Sequence, residues 1–142
     1  MNHYIFSDIS VGMKESFERM ITYDMEDSFR KISGDENPLH RDDAFAQEIS
    51  KGKFKSHVSF GMLTAALYST MAGVYLPGEN SLIHSIEELQ FLKPVFVGDL
   101  LNVKGEVVDK QEDLKLLRVK VVIRNQDNKV VSKAKMKIIV LK

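Results

Sequence analysis

Residues 60–76 constrain the fold of this chain more than any other segment, because their apolar side chains would surround a helix on nearly every side. These side chains belong to Met62, Leu63, Ala65, Ala66, Leu67, Tyr68, Met71, Ala72, Val74 and Tyr75. A helix of about 17 residues is roughly 25 Å long. Thr64, Ser69 and Thr70 interrupt it, so it is too short and too polar to span a membrane. Since other elements usually enclose so apolar a helix, the segment predicts a buried central helix that ends at Pro77-Gly78.

The chain after this helix has the pattern of β-strands. We predict strands at about residues 81–92, 101–110, 114–125 and 129–141. In the last two, apolar residues alternate with charged ones, as in Leu117-Arg118-Val119-Lys120. Period-two alternation indicates a sheet with one face on a core and the other in water. Together these segments predict an α+β fold, in which an antiparallel β-sheet wraps around the central apolar α-helix.

The segment before the central helix predicts one strand and two short helices. The strand covers about residues 14–23, and Asp24 is the predicted N-cap of the first helix. Asn37 is the predicted N-cap of the second helix, with Pro38 as its first residue. This second helix is expected to continue to about residue 49.

Length and composition restrict the class of protein. The 142 residues are enough for one domain with a sizeable core, so residues 1–142 are expected to form a single domain. Acidic and basic residues balance at 20 each, which argues against a nucleic-acid partner. The chain has no cysteine and no histidines at metal-ligand spacing, so we expect no metal and no cofactor. Without a signal peptide or a membrane span, the expected location is the cytoplasm.

The run Ser33-Gly34-Asp35-Glu36-Asn37-Pro38-Leu39-His40 carries the chemistry of the chain. Pro38 makes one continuous helix across the run unfavourable, so Asp35 lies on the loop and His40 lies in the first turn of the next helix. Both side chains then point into one small volume, as an acid/base pair acting on a single molecule requires. The alternative is that Asp35 is a turn residue and His40 a packed helix residue.

These segments resemble the MaoC-like (R)-specific enoyl-CoA hydratases, which have the hot-dog fold. The most specific part of the resemblance is Gly34-Asp35-Glu36-Asn37-Pro38-Leu39-His40. It extends to Gly61-Met62-Leu63, to Leu76-Pro77-Gly78 and to residues 91–99, and so covers nearly the whole chain. The resemblance implies a homodimer in which the two sheets join edge to edge, with the active sites near the interface.

The resemblance also implies a set of site residues. Asp35 and His40 would hold and activate one water, which adds to C3 of a trans-2-enoyl thioester while a proton is delivered to C2. Asn37 would fix the loop so that Asp35 points correctly. At the start of the central helix, the Gly61 amide, with Ser59 and Phe60 beside it, would bind the thioester oxygen. An amide at a helix start is suited to this role, because it is unpaired and lies at the positive end of the helix dipole.

One departure from the family leaves alternatives open. The family most often has His immediately before this glycine, where this chain has Phe60. His57 lies three residues upstream, and one interpretation is that it partly compensates for the missing imidazole; the favoured prediction is an ordinary loop histidine. The leading hypothesis is a hydratase/dehydratase acting on a thioester of CoA or acyl carrier protein, as in fatty-acid metabolism. A hot-dog thioesterase and a non-catalytic acyl-thioester binding module are the alternatives.

Overall fold

A computed structural model describes all 142 residues and contains five strands and three α-helices. The helices are α1 (Tyr23–Ser33), α2 (Asp43–Ile49) and α3 (Gly61–Thr70), and the strands are β1 (Lys14–Met20), β2 (Ser81–Phe91), β3 (Leu100–Gln111), β4 (Leu116–Arg124) and β5 (Val130–Val140). Short 3-10 turns cover Phe6–Asp8 and Pro38–His40, and α3 continues into a π-helical turn over Met71–Tyr75. The strands form one sheet in the order β1-β3-β4-β5-β2, with every neighbouring pair antiparallel.

The sheet wraps around α3, as the sequence predicts. Alternate residues of β4 and β5 are buried, among them Val119, Val121 and Met136, while the lysines between them face solvent. Leu67 and Tyr68 of α3 lie in the same core. The helix is not enclosed on every side, because Met62, Ala66 and Ser69 share an exposed stripe of α3. No helix is long and apolar enough to cross a membrane.

The central helix lies very close to β3. A Cβ atom built on Gly105 of β3 would lie 2.9 Å from the sulfur of Met71, which is fully buried. Glycine therefore allows a close approach between the π-helical turn and the strand.

The break between the two early helices differs from the prediction. Asn37 caps a turn of only three residues, Pro38–His40, and not a helix that continues to residue 49. The side chain of Asp42 accepts the N–H of Phe45 at 3.0 Å and so starts α2 as a separate helix. An Asp side chain satisfies an otherwise unpaired amide of the first helical turn. The 3-10 turn therefore ends at Arg41, and α2 begins as a separate helix after Asp42.

The N-cap predicted for α1 is also wrong. The cap is Thr22 and not Asp24, since the Thr22 hydroxyl accepts the N–H of Met25 at 3.2 Å. Thr22 directly follows Ile21, which is fully buried and exchanges backbone hydrogen bonds with Gly98 and Asp99. These bonds end β1 at Met20, shorter than predicted, and place α1 two residues earlier.

Candidate active site

Two small hydrogen-bonded turns fold the segment between α1 and the 3-10 turn Pro38–His40. Gly34 ends α1 in the left-handed region, with φ of 71°. The Asp35 carboxylate then accepts the N–H of Asn37 at 3.0 Å, and the Asn37 side chain accepts the N–H of Leu39 at 3.0 Å. Such Asx turns fix the backbone at short range. As a result, Asp35 and His40 face the same space.

His40 is held by one nitrogen and leaves the other free. Its Nδ1 lies 2.8 Å from the carbonyl oxygen of Val58. A carbonyl only accepts, so Nδ1 carries the hydrogen and donates it. The remaining nitrogen, Nε2, lies 4.0 Å from Oδ2 of Asp35. That separation is too long for a direct hydrogen bond, but one water at ordinary hydrogen-bond distance can contact both atoms.

The start of α3 supplies a free amide beside this pair. The N–H of Gly61 donates to no protein group, because it lies in the first helical turn. A Cβ atom at Gly61 would lie 3.3 Å from the ring of Phe91. The backbone at Gly61 therefore lies close to the Phe91 ring, and a side chain at this position would contact that ring.

Two cavities meet at these groups. The smaller, of about 230 Å³, is lined by Asp35, His40, Phe60 and Gly61 together with Phe29, Ser33, Met62 and Phe91. The larger, of about 380 Å³, is mainly apolar. His40, Gly61 and Phe91 line both. The structure thus brings Asp35, His40 and Gly61 to one site with apolar space beside it.

Ser59 and Phe60 lie directly before the free amide. The N–H of Ser59 donates to the Val95 carbonyl at 2.7 Å, so this amide is not available to a ligand, although Ser59 lines the larger cavity. The ring of Phe60 is buried and lies 4.4 Å from the His40 ring, centroid to centroid. The residue immediately before Gly61 therefore presents an apolar surface to the imidazole of His40.

His57 is not an ordinary loop histidine, and that prediction is wrong. Its side chain is buried, with Nε2 2.8 Å from Oε1 of Glu26 and Nδ1 2.7 Å from Oδ1 of Asp43. Burial lowers the pKa of His57, but the hydrogen bonds to the two carboxylates outweigh it and raise the pKa overall. The backbone and side-chain N–H groups of His57 hold the pKa of Asp43 below its usual value.

A sequence signal for this cluster exists, but it is weak. Glu26 lies one turn before Phe29 on α1, and a carboxylate on that face has to find a partner when it is buried. Glu26 is only 2% exposed. The sequence does not show which residue pairs with it, because His57 is 31 positions away along the chain.

Curated proteins with similar sequences are hydratases and dehydratases by name. The chain is 37% identical over 105 residues to an (R)-specific enoyl-CoA hydratase from Aeromonas caviae, covering 74% of this chain and 75% of that protein. It is 35% identical over 104 residues to a 3-hydroxybutyryl-CoA dehydratase from Methylorubrum extorquens, covering 73% of this chain. The match spans 64% of the length of that dehydratase.

The fold has close relatives among solved structures. The unliganded R-hydratase from Pseudomonas aeruginosa superimposes with a TM-score of 0.86 at 31% identity, covering 96% of this chain and 84% of that one. The predicted hot-dog fold is thereby confirmed. The family model described as "MaoC like domain" matches residues 8–131. The chain therefore belongs to the MaoC-like family of hydratases and dehydratases.

Proposed function

We propose that this protein reversibly adds water to the double bond of a trans-2-enoyl thioester with (R) stereochemistry, using Asp35 and His40. One observation carries the proposal: Nε2 of His40 and Oδ2 of Asp35 lie 4.0 Å apart, beside the free amide of Gly61. This arrangement offers a place for one water and a donor for the thioester oxygen. The enzyme class agrees with the names of the relatives.

In the hydration direction, Asp35 accepts a hydrogen bond from the water and orients it. Nε2 of His40 removes the other proton as the water oxygen bonds to C3. The electron pair of the C2–C3 double bond moves toward the thioester carbonyl, whose oxygen the Gly61 N–H stabilises. The proton then passes from His40 to C2. Both hydrogens of the water remain in the product, one on the new hydroxyl and one on C2.

The substrate in this proposal is an acyl thioester of CoA or of acyl carrier protein. The larger cavity supports it, because Phe54, Val95 and Val131 give it an apolar lining that continues from the reacting atoms. The two relatives carry CoA thioesters in their names, which favours CoA. To identify the carrier, kcat/KM is measured for a panel of enoyl thioesters of increasing chain length, each attached to CoA and to acyl carrier protein.

The test of the reaction uses a short trans-2-enoyl-CoA, whose conjugated thioester absorbance falls on hydration. We expect Asp35→Asn and His40→Ala to lower kcat by about 10² to 10⁴. The matched control is His3→Gln, which removes a histidine from an exposed pair with Glu79 and should retain wild-type kcat. Unchanged activity in both site variants would contradict the proposal. Release of the free thiol of CoA, measured with a thiol reagent, would indicate a thioesterase instead, because hydration leaves the thioester bond intact.

We also propose that the protein is a homodimer joined through β2. This strand lies at one end of the sheet, so its outer edge has no partner, and Leu82 and Ile86 on it are exposed. Unpaired edges of this kind need a cover. The strand ends at Phe91, which lines both cavities, so a partner on this edge would lie close to the site.

Light scattering tests the dimer. The wild-type protein should have twice the mass of one chain, and Ile86→Lys should shift it toward the mass of a single chain, because a charged side chain on an edge strand disfavours pairing with another edge. A monomeric wild-type protein would refute the proposed assembly.

A further inference from the structure

The cluster Glu26–His57–Asp43 joins three separate parts of the chain, and the reaction steps above do not use it. Glu26 belongs to α1, Asp43 to the first turn of α2, and His57 to the segment that leads into α3. Asp43 also accepts the backbone N–H of His57 at 2.8 Å, so both the ring and the main chain of His57 are fixed. Glu26 and His57 are 2% and 7% exposed, so water does not compete for the bond between them.

The segment fixed by His57 is the one that holds His40. The next residue, Val58, donates its N–H to the Leu39 carbonyl at 3.0 Å and accepts Nδ1 of His40 at 2.8 Å. One residue further, Ser59 donates to the Val95 carbonyl at 2.7 Å. The bonds from Val58 to Leu39 and from Ser59 to Val95 join backbone groups, whereas His57 is anchored by the side chains of Glu26 and Asp43. Because His57 directly precedes Val58, a shift of His57 would strain the backbone that carries the Val58 carbonyl, which is the partner of the His40 ring.

We propose that His57, held by Glu26 and Asp43, is a positioning residue that fixes the Val58 carbonyl and thereby the tautomer and orientation of His40. The proposal rests on the proposed function, in which Nε2 of His40 must be the nitrogen without a proton. A fixed carbonyl at Nδ1 keeps that proton on the far side of the ring and leaves Nε2 facing Asp35. Stability alone is a weak explanation for the cluster, since buried ion pairs often contribute little to it.

The charge of the cluster gives it a pH dependence. The titratable groups facing His57 are Glu26 and Tyr23 from α1 and Asp43 from α2; the Tyr23 ring lies 6.0 Å away. Both ring nitrogens of His57 face carboxylate oxygens, which only accept hydrogen bonds. Both bonds therefore form only when the His57 ring is protonated on both nitrogens. The pKa of His57 in the folded protein is raised above its usual value of 6.5. The two hydrogen bonds from protonated His57 are therefore complete below pH 6.5 and are lost as pH rises through the pKa of the folded state. We expect kcat to fall on the alkaline side for this reason.

The first experiment measures His40 directly. In ¹⁵N-labelled protein, the ring nitrogen shifts of His40 report which nitrogen carries the proton. We expect a single Nδ1–H tautomer in the wild type and a mixture of tautomers in His57→Gln. In the same variant we expect kcat to fall about tenfold or more while KM changes less than about twofold, because geometry and not binding is lost. His3→Gln is the matched control and should leave the His40 shifts and kcat at wild-type values.

Two further variants separate positioning from folding. Glu26→Leu with His57→Leu replaces the buried pair by apolar residues, which commonly maintains stability. We expect the free energy of unfolding of this double variant to equal that of the wild type, while its kcat stays as low as that of His57→Gln. In Glu26→Gln, the amide can donate to a neutral His57 ring, so the alkaline fall of kcat should disappear.

The results distinguish the two proposals. Wild-type His40 shifts and wild-type kcat in His57→Gln would overturn the positioning role, as would full recovery of kcat in the double leucine variant. An inactive wild-type protein whose His40 tautomer still depends on His57 would overturn the proposed function and leave the positioning role standing.

Discussion

At the scale of single residues, the two nitrogens of His40 have different partners, and the site depends on this difference. Nδ1 is bound to the Val58 carbonyl, while Nε2 faces Asp35 across a gap that fits one water. Phe60 adds a third contact, because its ring packs against the imidazole and against Phe29. The Phe60 ring restricts the His40 imidazole by packing alone, whereas a histidine at position 60 would also offer a hydrogen bond. The apolar contact supports the orientation of His40 and adds no competing proton donor.

Gly61→Ala tests whether the free amide at the helix start binds the thioester oxygen. The new Cβ atom would lie 3.3 Å from the Phe91 ring, and Gly61 and Phe91 line both cavities of the site. Phe91 is half exposed and can move, so the free energy of unfolding should change little. Kinetics with a short enoyl-CoA should show kcat lowered about 10²-fold or more.

Gly73→Ala is the control for this change. Its Cβ atom would meet nothing closer than the Ser81 hydroxyl at 4.0 Å, at the far end of the central helix. This variant should retain wild-type kcat. Equal activity in both alanine variants would show that the bound thioester does not approach Gly61 closely, against the proposed contact.

At the scale of elements, local hydrogen bonds decide where helices begin and so where the site residues lie. Asp42 caps α2 and ends the turn that carries His40 after only three residues. In this short turn, Nδ1 of His40 reaches the Val58 carbonyl at 2.8 Å. The cap at Asp42 thus separates the turn that carries His40 from α2.

Gly105→Ala tests the close contact between the central helix and the sheet. The added Cβ atom would lie 2.9 Å from the Met71 sulfur in a fully buried position, so the methionine or the strand has to move. We expect a loss of about 1–3 kcal/mol in the free energy of unfolding, typical of overpacking in a dense core. Urea denaturation measures it. A variant as stable as the wild type would show that Met71 can move at no cost.

At the scale of the whole molecule, one chain of hydrogen bonds crosses the core from the helix to the edge of the sheet. The Tyr68 hydroxyl of α3 lies 2.7 Å from the Ser132 hydroxyl of β5, and Ser132 donates to the Gln90 carbonyl of β2 at 2.7 Å. Both side chains are fully buried. Burial raises the pKa of Tyr68 to about 12, although the bond to Ser132 opposes the shift.

This pKa predicts how the fold responds to alkali. The folded value lies above the unfolded value of about 10, so the neutral hydroxyl stabilises the fold. Its contribution is complete below about pH 10 and is lost as pH rises toward 12. Tyr68→Phe should cost about 1 kcal/mol at neutral pH and should lose stability less steeply above pH 10 in urea denaturation. Parallel curves for the two proteins would contradict the shifted pKa.

Much of the fold follows from local patterns in the sequence. The apolar stretch of residues 60–76 required enclosure, and period-two alternation identified the strands that enclose it, because each pattern reflects the geometry of one element. The run from Asp35 to His40 likewise indicated a turn that brings a carboxylate and an imidazole together. The family follows from these segments and is confirmed by the comparisons.

The tertiary structure alone decided how the site is supported. His57 meets Glu26 and Asp43 from 31 and 14 residues away, and His40 meets Val58 from 18 residues away. Periodicity and capping signals act over a few residues, so they carry no information about pairs this distant along the chain. The packing of the helices decides which nitrogen of His40 is free. It also decides that the buried His57 lies in the segment that contacts His40.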